Sequence, residues 1–172
     1  PTEGQILLYG EDIAALPPEA EGWTPATGEG EKSWSINQLV GHMCGSRLYF
    51  ASAYSGEGWI SPRPPNVSTR EKWVPALVVS FREFRTKISG TPDEWLDRRV
   101  EMIDTDATLP GWRVLLMMME HDIHHRSQID TYAGINGWGV PDIYNRSAET
   151  IGGLQAKERA KHGIEGEGNP LV

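Results

Sequence analysis

Apolar residues recur along this chain at helical spacing, in blocks punctuated by glycine and proline, and the pattern predicts five helix-sized pieces. The first covers residues 4–16, with Ile6, Leu7, Ile13 and Leu16 as its apolar positions, and stops at Pro17-Pro18, whose rings cannot continue a helical ladder. The second opens at Ser35, an N-cap residue with Gln38 placed three positions on as its capping-box partner. Ile36, Leu39, Val40, Met43, Leu48 and Phe50 follow, and the piece breaks at Ser55-Gly56. The third covers residues 69–89 with Pro75 in its first turns, and Val78, Phe81, Phe84 and Ile88 are its predicted core face. The fourth, residues 111–135, is apolar at Val114, Leu115, Met118, Ile123 and Ile129 and ends at Asn136-Gly137. The fifth, residues 147–161, is only weakly amphipathic.

The intervening segments read as loops. Residues 18–33 are rich in Gly and Glu; residues 56–67 carry Pro62, Pro64 and Pro65 and are expected to be held to the body by Trp59 and Ile60. Residues 90–110 predict a short helix followed by an extended piece around Trp95, Leu96, Val100 and Met102, with DTDATLPG as a turn. No segment alternates as a strand should, and no repeat or low-complexity tract is present. The fold class expected is therefore all-α, a helical bundle.

A chain of 172 residues can bury one real core. The expected organisation is a single domain over residues 1–162 and a frayed tail over 163–172. A formal net charge of −8 opposes phosphate backbones and argues against a nucleic-acid partner. No apolar run approaches the roughly 20 residues of a membrane span; the longest, Val114 to Met119, leads straight into charge. The start of the sequence lacks the basic-then-apolar order of a signal peptide. One cysteine, Cys44, allows no internal disulfide, which fits a cytoplasmic setting.

The candidate chemistry lies in EHDIHHRSQID, residues 120–130, which holds three of the five histidines. Residues four apart share a helix face, so His121 and His125 can reach one metal ion at roughly 2.0–2.1 Å. His124 lies three from His121, and spacing alone leaves its part open. His42 sits on the second helix beside Leu39 and Met43. A buried imidazole there needs a partner, which is either an ordinary core hydrogen bond or a metal shared with the later pair. Three ligands would leave a coordination position free, the pattern of a catalytic zinc rather than a structural one.

A rival pattern is also present. HDIHH has the outline of the HExxH zinc-protease helix with Asp122 in place of Glu, and its third ligand would come from His162, Glu149 or Glu158. Asp is shorter and would hold its oxygen further from the metal. The zinc-deaminase signature is excluded, because one cysteine cannot supply P-C-x-x-C. Cys44 and the Met117-Met118-Met119 run read as packing. Trp138 and Tyr144 are candidates for a pocket mouth, and Gln128 for orienting a ligand.

WSINQLVGHM, residues 34–43, resembles the W-S-x-x-x-x-x-x-H second helix of the DinB/YfiT-like superfamily. HDIHHRSQIDTY, residues 121–132, is similar to the H-x-x-x-H-R-x-Q pattern of its fourth helix, and GWGVPDIY to its exit loop. The one departure is Ser127 where Gly usually follows H-R. The resemblance covers about residues 5–146. It implies an up-down-down-up four-helix bundle, often homodimeric, here with an extra C-terminal helix or tail. It also implies a divalent metal, zinc or nickel, held by His42, His121 and His125, with His124 outside the ligand set. Known activities in the superfamily include thiol S-transfer using bacillithiol or mycothiol and isomerisation using mycothiol, and many members have no known activity.

The resemblance thus implies a metal-dependent enzyme of transferase type acting on a small-molecule thiol; Arg47, Arg126 and Arg146 are the nearest candidates in the sequence for anion contacts. The alternatives are a hydrolase using metal-bound water, for which the neighbouring Glu120 and Asp122 are expected to face away from the metal and no base is named, and a non-enzymatic protein in which the metal staples helices. No catalytic residue is assigned, and no organic cofactor, nucleic acid or membrane partner is expected.

Overall fold

The computed structural model describes residues 13–139 and 148–164. The chain divides into two units, Pro1–Val140 and Pro141–Val172. In the first, the described helices are α1 (Ile36–Tyr54), α2 (Trp73–Ser89) and α3 (Gly111–Asn136). A two-stranded antiparallel sheet, β1 (Arg99–Glu101) and β2 (Thr108–Pro110), precedes α3. The second unit contains α4 (Ala148–Lys161). The helix expected over residues 4–16 falls mostly outside the described residues; residues 13 and 14 are helical and the chain turns before Pro18. The exit loop after Gly139 and the end of the tail also lie outside them. No described helix is long and apolar enough to cross a membrane.

α1 starts as its sequence dictates. The Ser35 hydroxyl accepts from the Gln38 N–H at 3.3 Å, and the Gln38 side chain accepts from the Ser35 N–H at 2.9 Å. These bonds satisfy two backbone donors that would otherwise face nothing. The helix packs against both α2 and α3, and most of its faces are buried. Small residues such as Gly41, Gly45 and Ala51 let it sit at the centre.

The core forms two clusters. One joins Ile36, Leu39, Val40 and Met43 of α1 to Trp73 and Leu77 of α2 and Ile129, Tyr132 and Ala133 of α3. The other joins Phe50, Ala51 and Tyr54 to Phe84, Val114, Met118 and Val100 of β1. Along α1 and α2 the chain passes from the first cluster to the second; along α3 it passes back. α1 and α2 therefore run in one sense and α3 in the other. His121 and His125 fall between the two clusters along α3, and His42 stands among the first cluster's residues on α1, next to Met43.

Several expectations are corrected. The fold is mostly helical rather than all-α, because residues 99–110 pair as a short sheet; strands of three residues are too short to show alternation. DTDATLPG is therefore only partly a turn. A 3-10 turn, Asp93–Leu96, precedes the sheet, matching the short helix expected there. α2 begins at Trp73, after a 3-10 turn at Arg70–Lys72, and its buried face is Trp73, Leu77, Ser80 and Phe84. Phe84 belongs to the predicted face; Val78, Phe81 and Ile88 sit beside it, half-buried. On α3, Ile123 is 56% exposed and Met119 53%, so neither fills the core. Trp59 does hold its loop, packing at a tilt against Tyr49 and donating to the Glu101 carbonyl at 2.7 Å, whereas Ile60 is exposed.

Candidate metal centre

Antiparallel packing of α1 against α3 brings His42 opposite His121 and His125. The Nε2 atoms of His42 and His121 are 2.9 Å apart, and those of His121 and His125 are 3.1 Å apart. All three ligand nitrogens lie within 4.8 Å of one another. Nitrogens on a tetrahedral zinc at roughly 2.0–2.1 Å sit about 3.3 Å apart, so the observed spacing suits one shared ion. Among the described residues this is the group of histidine, cysteine and carboxylate atoms able to hold a metal. His124 is exposed and only touches the His125 ring edge-on.

Local contacts set each ring. Nδ1 of His125 and Oε1 of Gln128 are 2.6 Å apart. The amide oxygen accepts the Nδ1 proton, which leaves the Nε2 lone pair of His125 aimed into the cluster. Ser46 lies one turn from His42 with its hydroxyl 3.4 Å from Nε2. Trp34 packs edge-on against His42 at 4.5 Å between centroids and stacks on His125 at 6.0 Å. Phe50 meets His121 at 5.8 Å. Trp34 is 41% exposed and so forms the rim. The Nδ1 atom of His121 is buried and meets no hydrogen-bond partner among the described residues.

Burial is the main electrostatic influence. It lowers the pKa of His42, with His125 adding to the effect. Burial, then His125, His42 and His124, pushes His121 down to about 4. Burial also lowers His125, against the opposing influence of Gln128. The three imidazoles are thus neutral at neutral pH, with lone pairs converging at one point. Converging lone pairs repel unless a cation or proton lies between them, and neutral imidazole is the ligand form. The residues present therefore fit a divalent metal ion.

Other candidates fall elsewhere. Arg47 is 4% exposed and donates from Nε to Asp122 Oδ2 at 2.8 Å, so it offers no anion contact at a surface. Arg126 lies 3.7 Å from Asp130 across one helical turn. Glu120 is at the surface and pairs with Arg113 at 2.9 Å. Cys44 is buried on the side of α1 away from His42, and burial raises its thiol pKa. It lines a separate open cleft of about 520 Å³ with Leu48, Pro65, Ala76, Val79 and Ser80. Trp138 packs on the core, edge-on to Trp23. His162 pairs with Glu158 within its own unit at 3.3 Å. Tyr144, Arg146 and the Glu149 side chain lie outside the described residues.

Sequence reasoning missed Trp34, Phe50 and Ser46 as neighbours of the triad, and it missed the Arg47–Asp122 pair. The pair had a signal. Arg47 falls one turn after Met43 and Cys44, on a face otherwise apolar, and a charge there needs a buried partner.

Comparison with known proteins bears on the family and on the fold. The sequence model of the DinB family matches residues 11–158. The crystal structure of YjoA, a DinB-like protein from Bacillus subtilis, is similar with a TM-score of 0.55 at 19% identity, over 84% of this chain and 97% of that one. At that identity the likeness bears on the fold alone. No curated protein sequence matches significantly.

Proposed function

The chain belongs to the DinB family, and from that membership we propose that it binds a divalent metal ion through His42, His121 and His125 and activates a low-molecular-weight thiol for S-transfer. One observation carries the reading: three neutral imidazole nitrogens from two antiparallel helices converge within 4.8 Å, joined by no fourth side-chain ligand among the described residues. Three ligands leave a position for a substrate atom. A metal bound there would lower the pKa of a thiol so that its sulfur attacks at neutral pH. Zinc and nickel are the ions proposed.

The chain's own groups fill supporting parts in this reading. Gln128 holds the His125 tautomer, and Trp34 and Phe50 wall the site with apolar rings that limit water. Hydrolysis has less support, because neither neighbouring carboxylate faces the triad: Glu120 pairs with Arg113 outside and Asp122 with Arg47 inside. A structural staple has less support too, for want of a fourth ligand among the described residues. The proposal includes the up-down-down-up helix order, which the opposite senses of α1 and α3 favour. It also includes a homodimer in the cytoplasm.

The test is elemental analysis after dialysis, wild type against His42→Ala. About one metal per chain is expected in wild type, with strong loss in the variant. Millimolar thiol should then shift the absorption spectrum of cobalt- or nickel-loaded protein. A wild-type protein that carries no metal and cannot be loaded with zinc or nickel would end the proposal. Metal binding without a thiol response would leave the site standing and remove the transferase reading.

A further inference from the structure

Beside the triad, the same helices are joined a second time by a buried ion pair. Arg47 on α1 follows His42 by five residues, and Asp122 on α3 directly follows His121. Arg47 Nε donates to Asp122 Oδ2 at 2.8 Å. Its Nη1 donates to the Leu77 carbonyl at 2.8 Å and to the Ser80 hydroxyl at 3.0 Å, both on α2. One guanidinium therefore ties all three helices together at the level of the histidines. Both residues are buried, at 4% and 8% exposure. The second carboxylate oxygen, Asp122 Oδ1, is buried and meets no hydrogen-bond partner among the described residues.

Such a pair is a poor way to gain stability. Desolvating two charges costs about what their attraction returns, and an orphaned carboxylate oxygen adds to the cost. What directional bonds supply, and apolar contacts do not, is a defined register. The neighbouring core side chains include Met43 and Met118, flexible residues that tolerate sliding. Sliding α3 by one residue along α1 would move its histidines by about 1.5 Å and rotate them by about 100°. Either motion separates nitrogens that now stand 2.9 Å apart.

We propose that Arg47 and Asp122 are positioning residues that set the register of α3 against α1, so that His42 meets His121 and His125 in one ligand set. Asp122, which occupies the place of the general base in an HExxH helix, acts here through Arg47 and faces away from the triad. The inference rests on the metal-site reading for its consequence, but the register itself can be observed without metal.

The test uses the full chain and the double variant Arg47→Met/Asp122→Leu, with Asp122→Asn as a near-isosteric second variant. Three readouts apply: thermal melting of metal-free protein, zinc affinity by chelator competition, and imidazole contacts in metal-free protein from NMR cross-relaxation between His42 and His121. The double variant is expected to melt no lower than wild type, as apolar replacement of a buried pair often allows. Its zinc affinity should fall by about 10–100-fold, the usual cost of losing an outer support, and the His42–His121 contact should weaken. Asp122→Asn should show a smaller loss in the same direction, and it decides the matter if the double variant does not fold. Unchanged zinc affinity and unchanged ring contacts in a folded variant would overturn the proposal. If wild type binds no zinc, the metal reading fails by itself, and the ring contacts alone then decide whether the pair sets the register.

Discussion

At the scale of single residues, the histidines show how burial prepares a ligand. An exposed imidazole is half-protonated near pH 6.5, and a protonated ring cannot bind metal. Burial lowers all three rings, His121 to about 4. Their lone pairs thus stay available through the range in which an exposed histidine would become charged. Metal should be retained as pH falls below 6.5 and be released toward 4, as measured by metal content after dialysis at stepped pH. In metal-free protein the folded state binds fewer protons than the unfolded chain between those values. His121's contribution to stability is thus full above 6.5 and is lost as pH drops toward 4, and His42 and His125 act in the same direction. A release midpoint above 6.5 would contradict the assigned environment. The i, i+4 spacing of His121 and His125 was legible in the sequence, as was the candidacy of Gln128. The depth of burial was not, because it depends on Trp34 and Phe50, which arrive from other positions of the fold.

At the scale of elements, helix boundaries were read where chemistry marks them. Ser35 and Gln38 predicted the start of α1, and Gly137 marks the end of α3 in the left-handed conformation, with φ of 66°. β1 was read only as an extended piece around Val100 and its pairing with β2 was not read, since the strands are three residues each and β2 ends in proline. The junction of β2 with α3 shows why the chain has glycine at 111. A Cβ there would lie 2.2 Å from the Trp95 carbonyl oxygen and 2.9 Å from a Tyr54 ring carbon. Gly→Ala within a helix ordinarily stabilises it. Here the sign should reverse, because a backbone carbonyl cannot step aside cheaply. Gly111→Ala is expected to destabilise by about 1–3 kcal/mol, the usual cost of overpacking, as read from chemical denaturation. A neutral or stabilising effect would show that this junction is looser than its contacts indicate.

At the scale of the whole molecule, the proposed homodimer has a direct measurement. Light scattering on the eluting protein should give about twice the chain mass of 19.1 kDa, and a mass equal to one chain would remove the dimer from the proposal.

The sequence by itself determined the helical periodicities, the cap of α1, the paired histidines on one face of α3 and a family pattern that named His42 as their partner. These are local properties, set by spacing of a few residues along one element. Only the tertiary structure decided that His42 stands 2.9 Å from His121 across 79 positions of chain. It also decided that Arg47 is spent on Asp122 rather than on an anion, and that Ile123 and Met119 face outward. Those outcomes follow from how α1 and α3 rotate and slide against each other. Periodicity within one helix is blind to that rotation and to that register, because both are properties of a pair.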